Sequence, residues 1–245
     1  MADVEDATAG FGADMRAHLE RVGTANQPVL TDVVQRMLEV IRADGRIHVA
    51  GTGHSTAMLL ETFYRAGGLA CVNPLVRPDL IPLLGAQAST AAERSDELAA
   101  ELLDEAAPEP GELAFVFSNS GVNALPIALA QGLRKAGNTV VAVCSLPHLS
   151  AVPARAGVKL DALADHLLDT EVPHGDAAFA VRDYRTAGLS SLTSVYLWNL
   201  LLAGIATAAD RHGVRLPLWT SANTEGGDER NAELSASYRH RVSGL

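Results

Sequence analysis

Short apolar runs alternate with longer segments of helical periodicity along most of the chain. Four of these runs are predicted to be buried strands, at residues 46–50, 112–117, 139–144 and 164–169. Glycine or serine follows the first three runs, and a helical pattern comes next, as in residues 124–136 before the helix-ending Gly137. This alternation predicts a doubly wound α/β fold with about five parallel strands and helices on both faces of the sheet.

The N-terminal segment has apolar residues at helical spacing from Asp14 to Asp44. Because proline lacks the N–H group that a helix interior needs, Pro28 predicts a break between two N-terminal helices. We expect residues 1–45 to pack on the domain or on an oligomer partner. Residues 46–245 are expected to form one structural unit, which is a normal size for an α/β domain.

The chain of 245 residues has a formal net charge of -10, which argues against a broad surface for nucleic acid or for an anionic membrane. Any anionic ligand therefore has to be held locally. Cys71 and Cys144 lie in apolar runs that read as strands, which is typical of buried thiols in a reducing compartment. The acidic N-terminus lacks the apolar core of a secretory signal, so we expect a cytoplasmic protein.

One uncharged stretch, residues 188–209, is long enough to cross a bilayer. Its hydroxyl and amide side chains make it polar for a single span, and no basic cluster flanks it. These polar residues are Ser190, Ser191, Thr193, Ser194, Asn199 and Thr207. We interpret the stretch as a helix of the protein core and expect no membrane partner.

Two polar loops follow predicted strands and precede predicted helices. The first, residues 51–55, reads Gly-Thr-Gly-His-Ser, and the second, residues 118–123, reads Ser-Asn-Ser-Gly-Val-Asn. Backbone N–H groups and the dipole at a helix N-terminus favour an anion. Because the loops that follow parallel strands collect at the carboxyl edge of the sheet, we expect both to bind one ligand there.

Neither loop matches a nucleotide-binding motif. The first lacks the third glycine of a dinucleotide fingerprint and the Gly-Lys-Ser/Thr ending of a P-loop. With no lysine or arginine in either loop, neutral donors and helix dipoles would hold the anion, which favours a phosphate monoester over a pyrophosphate. The alternatives are a tight strand-to-helix turn for the first loop and helix N-caps for the second.

Four segments in order resemble the SIS (sugar isomerase) domain superfamily of phosphosugar-binding proteins. They are GTGHS at 51–55, FYRAGGLACVNP at 63–74, FSNSGVNALPIALA at 117–130 and SANTEGGDERN at 221–231. The chain is similar in particular to a bacterial group of uncharacterised SIS proteins that are described as phosphoheptose isomerases or phosphosugar-binding proteins. The resemblance implies a flavodoxin-like layer of about five parallel strands, and a homodimer or homotetramer with sites near the subunit interfaces.

A set of phosphosugar-binding residues follows from the same resemblance. Ser55, Ser118 and Ser120 match the phosphate-binding hydroxyls of such proteins. Ser190 or Ser191, at the start of the long uncharged helix, is a further contact or, alternatively, an N-cap. The other expected binding residues are Gly51, Thr52, Gly53, His54, Asn119, Gly121, Asn123 and Ser145.

An aldose–ketose isomerase needs a general base with a pKa near neutrality and a group that stabilises the enediolate. Glu61 resembles the helix-borne glutamate that serves as base in phosphoheptose isomerases, although its spacing from the first loop is shorter by about one turn. Alternatively, Glu61 pairs with Arg65 at i,i+4. His54 lies inside the first loop, and an imidazole titrates near neutrality. His174, like His148, follows a predicted strand end and is a further candidate.

The first functional hypothesis is a phosphosugar isomerase that acts on a heptose or amino-sugar phosphate. The alternatives are a phosphosugar lyase similar to N-acetylmuramic acid 6-phosphate etherases, and a non-catalytic phosphosugar sensor that acts through protein partners. No spacing of His, Cys, Asp or Glu matches a metal motif, so no metal and no cofactor are expected. Residues 226–229 predict a helix start or, by resemblance, part of a site in this subunit or a neighbour.

Overall fold

The computed structural model describes the backbone of residues 2–245 and contains a five-stranded parallel sheet with helices on both faces. The strands of this sheet are β1 (Ile47–Gly51), β2 (Val72–Leu75), β3 (Leu113–Phe117), β4 (Thr139–Cys144) and β5 (His166–Asp169). Their order is β2-β1-β3-β4-β5, and every neighbouring pair is parallel. This is the flavodoxin-like order, so the predicted doubly wound fold is confirmed.

Helices connect the strands. Within residues 2–245 the α-helices are α1 (Ala2–Arg42), α2 (Ala57–Thr62), α3 (Ala86–Glu93), α4 (Ala99–Ala106), α5 (Ala124–Lys135), α6 (Leu146–Ala151), α7 (Ser190–His212) and α8 (Gly227–Tyr238). An antiparallel hairpin, β6 (Ala177–Val181) and β7 (Tyr184–Gly188), precedes α7. This hairpin was not predicted from the sequence, because most of its side chains are exposed and β7 has no apolar run.

The side chains of the sheet alternate between two apolar layers, as in parallel sheets that are buried on both faces. Leu113, Phe115 and Phe117 of β3 point into the layer that contains α1 and α7. Ala114 and Val116 point into the layer that contains α4 and α5. The bulkier side chains of β3 therefore face the two long helices, and the smaller ones face α5.

The N-terminal segment is one continuous helix, so the prediction of two helices with a break at Pro28 is wrong. Val22 and Leu30, on either side of the proline, are both buried in the core. Asn26 exchanges two hydrogen bonds of 2.8 Å with the backbone of Asp169 at the end of β5. This tertiary packing outweighs the cost of about 3 kcal/mol that proline carries in a helix interior.

The uncharged stretch forms α7, which within residues 2–245 is the one helix long and apolar enough to span a membrane by length and composition. It lies along α1 and contributes Leu197, Trp198 and Leu201 to the core. The indole of Trp198 meets the ring of Phe115 edge to face, with 5.2 Å between centroids. These contacts agree with the prediction of a core helix, in which 39% of the most apolar window is buried and the rest is half-buried or exposed.

A buried ionic network joins the amino ends of three strands. Arg46 precedes β1 and donates through Nε to Glu112 Oε1, which lies 2.8 Å away just before β3. His48 of β1 is 2.8 Å from Glu112 Oε2 through Nε2, and Asn73 of β2 is 3.2 Å from the other ring nitrogen. The network therefore fixes β1, β2 and β3 relative to each other at the edge opposite the two polar loops.

The same network holds the C-terminal segment. Arg46 Nη1 donates to the backbone oxygen of Arg241 at 2.8 Å, and the backbone N–H of Ser243 donates to Asn73 Oδ1 at 2.8 Å. Burial of Glu112 opposes its ionisation, but hydrogen bonds from His48 and Arg46 outweigh burial and lower the pKa of Glu112 to about 2. The carboxylate is thus the charged centre of the cluster.

We expect Glu112→Gln to lower the free energy of unfolding by about 3 kcal/mol, because Arg46 would be buried without its counter-ion. The pKa of Glu112 is about 2 in the folded protein, against an ordinary value of 4.5. Its contribution to stability is therefore complete above the ordinary pKa and is lost as the pH falls through the folded pKa. Urea denaturation at a series of pH values should show the native protein and the variant converging over that window.

The control for this prediction is Glu109→Gln, since the side chain of Glu109 is exposed beside the network. We expect it to change the free energy of unfolding by less than about 0.5 kcal/mol. Equal stabilities for Glu112→Gln and Glu109→Gln would contradict a central role for the buried carboxylate.

Candidate functional site

The two polar loops lie side by side at the carboxyl edge of the sheet. β1 and β3 are hydrogen-bonded neighbours with Gly51 opposite Phe117, so residues 52–55 and 118–121 leave the sheet at adjacent positions. The helices that follow go to opposite faces, because α2 packs in the layer of α1 and α5 packs in the layer of α4. The strand order therefore reverses between the loops, and the crevice that forms at such a point is where ligands bind in these sheets.

The first loop makes a tight turn into α2. Gly53 has a φ of +56°, a left-handed conformation that favours glycine. A short 3₁₀ turn, Gly53–Thr56, follows, and Thr56 Oγ1 donates to the backbone oxygen of Gly53 at 2.6 Å. Thr52 is buried, whereas the His54 side chain is exposed. The turn thus presents His54 to the solvent side of the crevice.

The second loop is held by contacts with the two neighbouring strand ends. Ser118 Oγ accepts a hydrogen bond from the backbone N–H of Gly121 at 3.3 Å, and Gly121 has a φ of +62°. Asn119 Oδ1 accepts from Thr170 Oγ1 at 3.0 Å. The backbone N–H of Ser145 donates to the backbone oxygen of Asn119 at 3.0 Å. The loop is therefore fixed in place before any ligand binds.

Several hydroxyl groups of the two loops remain free to bind a ligand. In the part of the chain whose side chains are described, the hydroxyls of Thr52, Ser55 and Ser120 have no hydrogen-bond partner, and Ser118 Oγ serves only as an acceptor within its own loop. Hydroxyl donors beside helix N-termini suit an anion. The predicted binding residues of both loops are thus together, although their role in binding stays a prediction.

A carboxylate that no sequence motif marked lies between the loops. Glu93 is the last residue of α3, and its Oε1 accepts a hydrogen bond from Asn123 Nδ2 at the end of the second loop. Its Oε2 lies so close to the first loop that a Cβ atom added to Gly53 would be 2.6 Å away. Glu93 therefore touches both loops.

The surroundings of Glu93 favour its protonated form more than usual. Burial raises the pKa of this carboxyl group above its ordinary value of 4.5, while the hydrogen bond from Asn123 and the charges of Arg94 and Arg155 act in the opposite direction. A carboxyl group with a raised pKa at the meeting point of two ligand loops is a candidate general base.

Arg155 is a second residue that the sequence analysis missed. It lies between α6 and β5, and its Nη1 donates to Asn123 Oδ1 at 2.6 Å. The amide of Asn123 thus bridges a carboxylate and a guanidinium group. The prediction that neutral donors and helix dipoles hold the anion considered only the residues of the loops, whereas a distant segment of the chain brings a cation to Asn123.

Glu61, the predicted base, lies in the last turn of α2. Its carboxylate forms an ion pair with Arg65 at i,i+4, which is the alternative that the sequence left open. Its catalytic role stays a prediction, but the pairing leaves this carboxylate less free than that of Glu93.

Two of the three predicted serines outside the two loops make structural hydrogen bonds. Ser145 caps α6, where its Oγ accepts from the backbone N–H of His148 at 3.0 Å. Ser190 Oγ donates to Asp176 Oδ2 at 2.9 Å at the start of α7. Ser191 is half-buried beside it. Ligand contacts by these three residues stay predictions.

His148 and His174 lie together on the β4 and β5 side of the crevice. Their ring centroids are 4.8 Å apart in an edge-to-face arrangement. Burial lowers the pKa of His148, the neighbouring His174 lowers it further, and Asp176 opposes this shift. His148 Nδ1 is buried without a partner in the described part of the chain. The role predicted for His174 as a member of the site stays a prediction.

The C-terminal motif, residues 221–231, lies at another place. The helix start predicted there is confirmed, since α8 begins at Gly227. The motif borders a surface cavity of about 450 Å³ together with Tyr64 and Trp219. The Trp219 backbone N–H donates to the Gly68 oxygen at 2.9 Å, next to the segment that leads into β2. The motif is therefore toward the amino edge, opposite the two loops.

The described residues contain neither a cluster of metal ligands nor an exposed thiol. No cluster of three or more His, Cys, Asp or Glu side chains arranged to hold a metal ion occurs among the described residues. Both cysteines are buried, as predicted, and burial raises the pKa of the Cys71 thiol to about 12 and that of Cys144 in the same direction. These thiols are inert core residues.

The sequence profile of the SIS domain family matches residues 10–145. A UPF0309 protein from Brucella anthropi is 37% identical over 201 residues, which cover 81% of this chain and 82% of that protein. The chain belongs to the SIS-domain family. This SIS protein is also 36% identical over 202 residues to a UPF0309 protein of Brucella suis, with coverage of 82% of this chain and 83% of the relative.

Solved structures agree with the fold of this SIS protein. The phosphoheptose isomerase GmhA from Neisseria gonorrhoeae aligns with a TM-score of 0.57 at 17% identity, over 85% of this chain and 99% of the other. A phosphoheptose isomerase from Francisella tularensis aligns with a TM-score of 0.51 at 13% identity, over 82% and 97% of the two chains. The family that the sequence motifs indicated is confirmed, and the structural likeness supports the fold.

The contact between Gly53 and Glu93 can be tested by a pair of alanine substitutions. Gly53 and Gly67 both have positive φ, so alanine at either position should cost about 1 kcal/mol of backbone strain. At Gly67 an added Cβ has no neighbour within 4 Å. Gly53→Ala should cost about 1 kcal/mol more, because it forces Glu93 away from Asn123. Urea denaturation measures both, and equal losses would contradict the position of Glu93.

Proposed function

We propose that this SIS protein binds a phosphosugar in the crevice between its two loops and acts as an aldose–ketose isomerase. The observation that carries the proposal is the group of free hydroxyls on Thr52, Ser55 and Ser120 at the reversal point of the sheet. Such donors bind the oxygens of a phosphate monoester. The N-terminus of α5 adds a favourable dipole directly behind the second loop.

The position of Glu93 supports proton transfer in the same crevice. An aldose–ketose isomerase removes the proton from the carbon next to the carbonyl group and returns it to the neighbouring carbon, so that no oxidant or reductant is needed. We propose Glu93 as the base, in preference to Glu61, whose carboxylate pairs with Arg65. We propose that His54, which is exposed on the first loop, donates a hydrogen bond to an enediolate oxygen.

His174 remains a candidate for the sugar end of the site. It faces His148 across 4.8 Å at the β4 and β5 side of the crevice, whereas Glu93 is on the β1 side. A bound sugar phosphate would lie between these groups, with its phosphate on the hydroxyls of the loops. We therefore propose that Glu93 transfers the proton and that the histidine pair recognises the sugar hydroxyls.

We further propose a cytoplasmic homodimer or homotetramer with no nucleic-acid or membrane partner. The exposed face of α7 supports this, because Leu192, Ala203 and Ala206 give it apolar and small surface groups suited to a subunit contact. Light scattering coupled to gel filtration measures the number of subunits. A mass equal to that of one chain at all protein concentrations would contradict the proposed oligomer.

Ser120→Ala should weaken phosphosugar binding by about 1 to 3 kcal/mol while leaving the fold intact, because it removes one free donor. Ser118→Ala should have a similar effect on binding. Isothermal titration calorimetry measures the affinity. Ser150→Ala is the matched control, since Ser150 is exposed on α6 and its hydroxyl donates to a backbone oxygen of the same helix. If Ser118→Ala and Ser120→Ala both match the control, the anion is not held at this loop.

Glu93→Gln should reduce turnover by about 100-fold or more without loss of phosphosugar binding, since it removes a proton acceptor and keeps the shape of the side chain. A panel of heptose, pentose and amino-sugar phosphates monitored by NMR identifies the substrate on which this is measured. Glu61→Gln is the comparison that separates the two candidate bases. A loss confined to Glu61→Gln would reverse the assignment.

The same panel distinguishes the three functional hypotheses. Interconversion of an aldose and a ketose phosphate supports the isomerase. Release of lactate from N-acetylmuramic acid 6-phosphate would instead identify an etherase. Thermal stabilisation by a phosphosugar, with no conversion of any panel member, would remove the isomerase claim and support a sensor.

A further inference from the structure

The segment that carries Arg155 crosses over the second loop. The backbone N–H of Leu160 donates to the Gly121 oxygen at 2.9 Å, which fixes one end of the segment to the loop. Lys159 Nζ donates to the backbone oxygen of Leu149, so this cation is engaged by the protein itself. Arg155 lies between Leu149 and Lys159 in the chain, and its side chain reaches Asn123 at the end of the second loop.

The guanidinium group of Arg155 has most of its hydrogen-bonding capacity free. It carries five N–H donors, and within the described side chains it makes one hydrogen bond, to Asn123 Oδ1 at 2.6 Å. It forms no ion pair there, although Glu93 holds the opposite end of the same amide. Arg155 is also exposed, so its movement is not blocked by packing.

The charges of the site explain why such a cation is needed. The free hydroxyls of the loops are neutral, and the Glu93 carboxylate beside them repels a phosphate dianion. The chain as a whole carries a net charge of -10, so no general field attracts the ligand. A guanidinium group pairs with phosphate through two parallel hydrogen bonds, which an amide or hydroxyl cannot do.

We propose that Arg155 is the residue that selects the phosphorylated ligand: its guanidinium turns from Asn123 to the phosphate group and balances the charge of Glu93. The proposal rests on the proposed phosphosugar site and adds the origin of its preference for phosphorylated over unphosphorylated sugars. In this account Asn123 is the resting partner of Arg155, and the hydroxyls of the loops orient the phosphate after the guanidinium has bound it.

The test compares inorganic phosphate, a heptose 7-phosphate and the same heptose without phosphate by calorimetry. Arg155→Gln should weaken binding of both phosphate-containing ligands by about 10- to 100-fold and leave binding of the unphosphorylated heptose unchanged. It should also flatten the dependence of affinity on salt, which loss of a purely structural contact would not do. Arg155→Lys should recover part of the affinity, because it restores the charge without the paired donors.

Arg94→Gln is the matched control, because Arg94 acts on Glu93 through its charge but makes no hydrogen bond to the loops among the described residues. We expect it to change phosphate affinity by less than about threefold. In the Arg155→Gln background, Glu93→Gln should restore part of the lost affinity, since the repulsion is removed together with the cation that offset it.

The outcomes separate this proposal from the proposed function. If native protein binds the heptose phosphate and Arg155→Gln binds it equally well, the selection role of Arg155 is wrong and the phosphosugar site stands. Equal losses for phosphorylated and unphosphorylated ligands would also overturn the selection role. Binding of neither phosphate-containing ligand by native protein would overturn both proposals. Melting temperatures of the variants check that each is folded. If Arg155→Gln does not fold, the affinities of Arg155→Lys for phosphorylated and unphosphorylated ligands test the selection role instead.

Discussion

The parallel pairing of β1 with β3 is the constraint on which the rest of the structure depends. The pairing is fastened at the amino edge by Glu112, whose buried carboxylate binds Arg46 and His48. At the other end, the pairing puts Gly51 opposite Phe117, so that both ligand loops begin at one point. Because the strand order reverses there, the helices that follow go to opposite faces, which is the arrangement that forms a ligand crevice in such sheets.

The charges in the crevice are arranged around Asn123. Its side-chain amide accepts a hydrogen bond from the guanidinium of Arg155 and donates one to the carboxylate of Glu93. The two opposite charges are therefore held apart by one neutral amide in the described structure. A direct ion pair between these two groups would leave the carboxylate well stabilised and therefore a poor base. Partial burial of Glu93 instead keeps its pKa above the ordinary value, although the hydrogen bond from Asn123 acts in the opposite direction. The amide thus separates the two charged groups without a direct ion pair between them.

Much of the fold could be predicted from local patterns. The strand predicted at 139–144 matches β4 (Thr139–Cys144) residue for residue, because Val and Cys side chains buried on both faces leave a continuous apolar run. The continuity of α1 through Pro28 could not be predicted, since it depends on packing against α7 and on the contact of Asn26 with β5. Local propensity does not contain those tertiary contacts.

The candidate site also has one part that the sequence predicts and one part that it does not. The two loops are contiguous in sequence, and a glycine or serine after a buried strand marks each of them. Glu93 and Arg155 come from segments that are far from both loops in the chain, and neither belongs to a motif. Only the strand order and the crossings of α3 and of the segment after α6 bring them to Asn123. Polar residues that the topology brings together in this way are recognised only in the folded structure.

A crystal structure with an unreactive phosphorylated alditol would test the central claim most directly. The account predicts electron density for the phosphate between the ends of β1 and β3, with its oxygens about 3 Å from the hydroxyls of Ser55 and Ser120. Phosphate density at the amino edge, or an empty crevice at a ligand concentration that saturates the protein in solution, would contradict it.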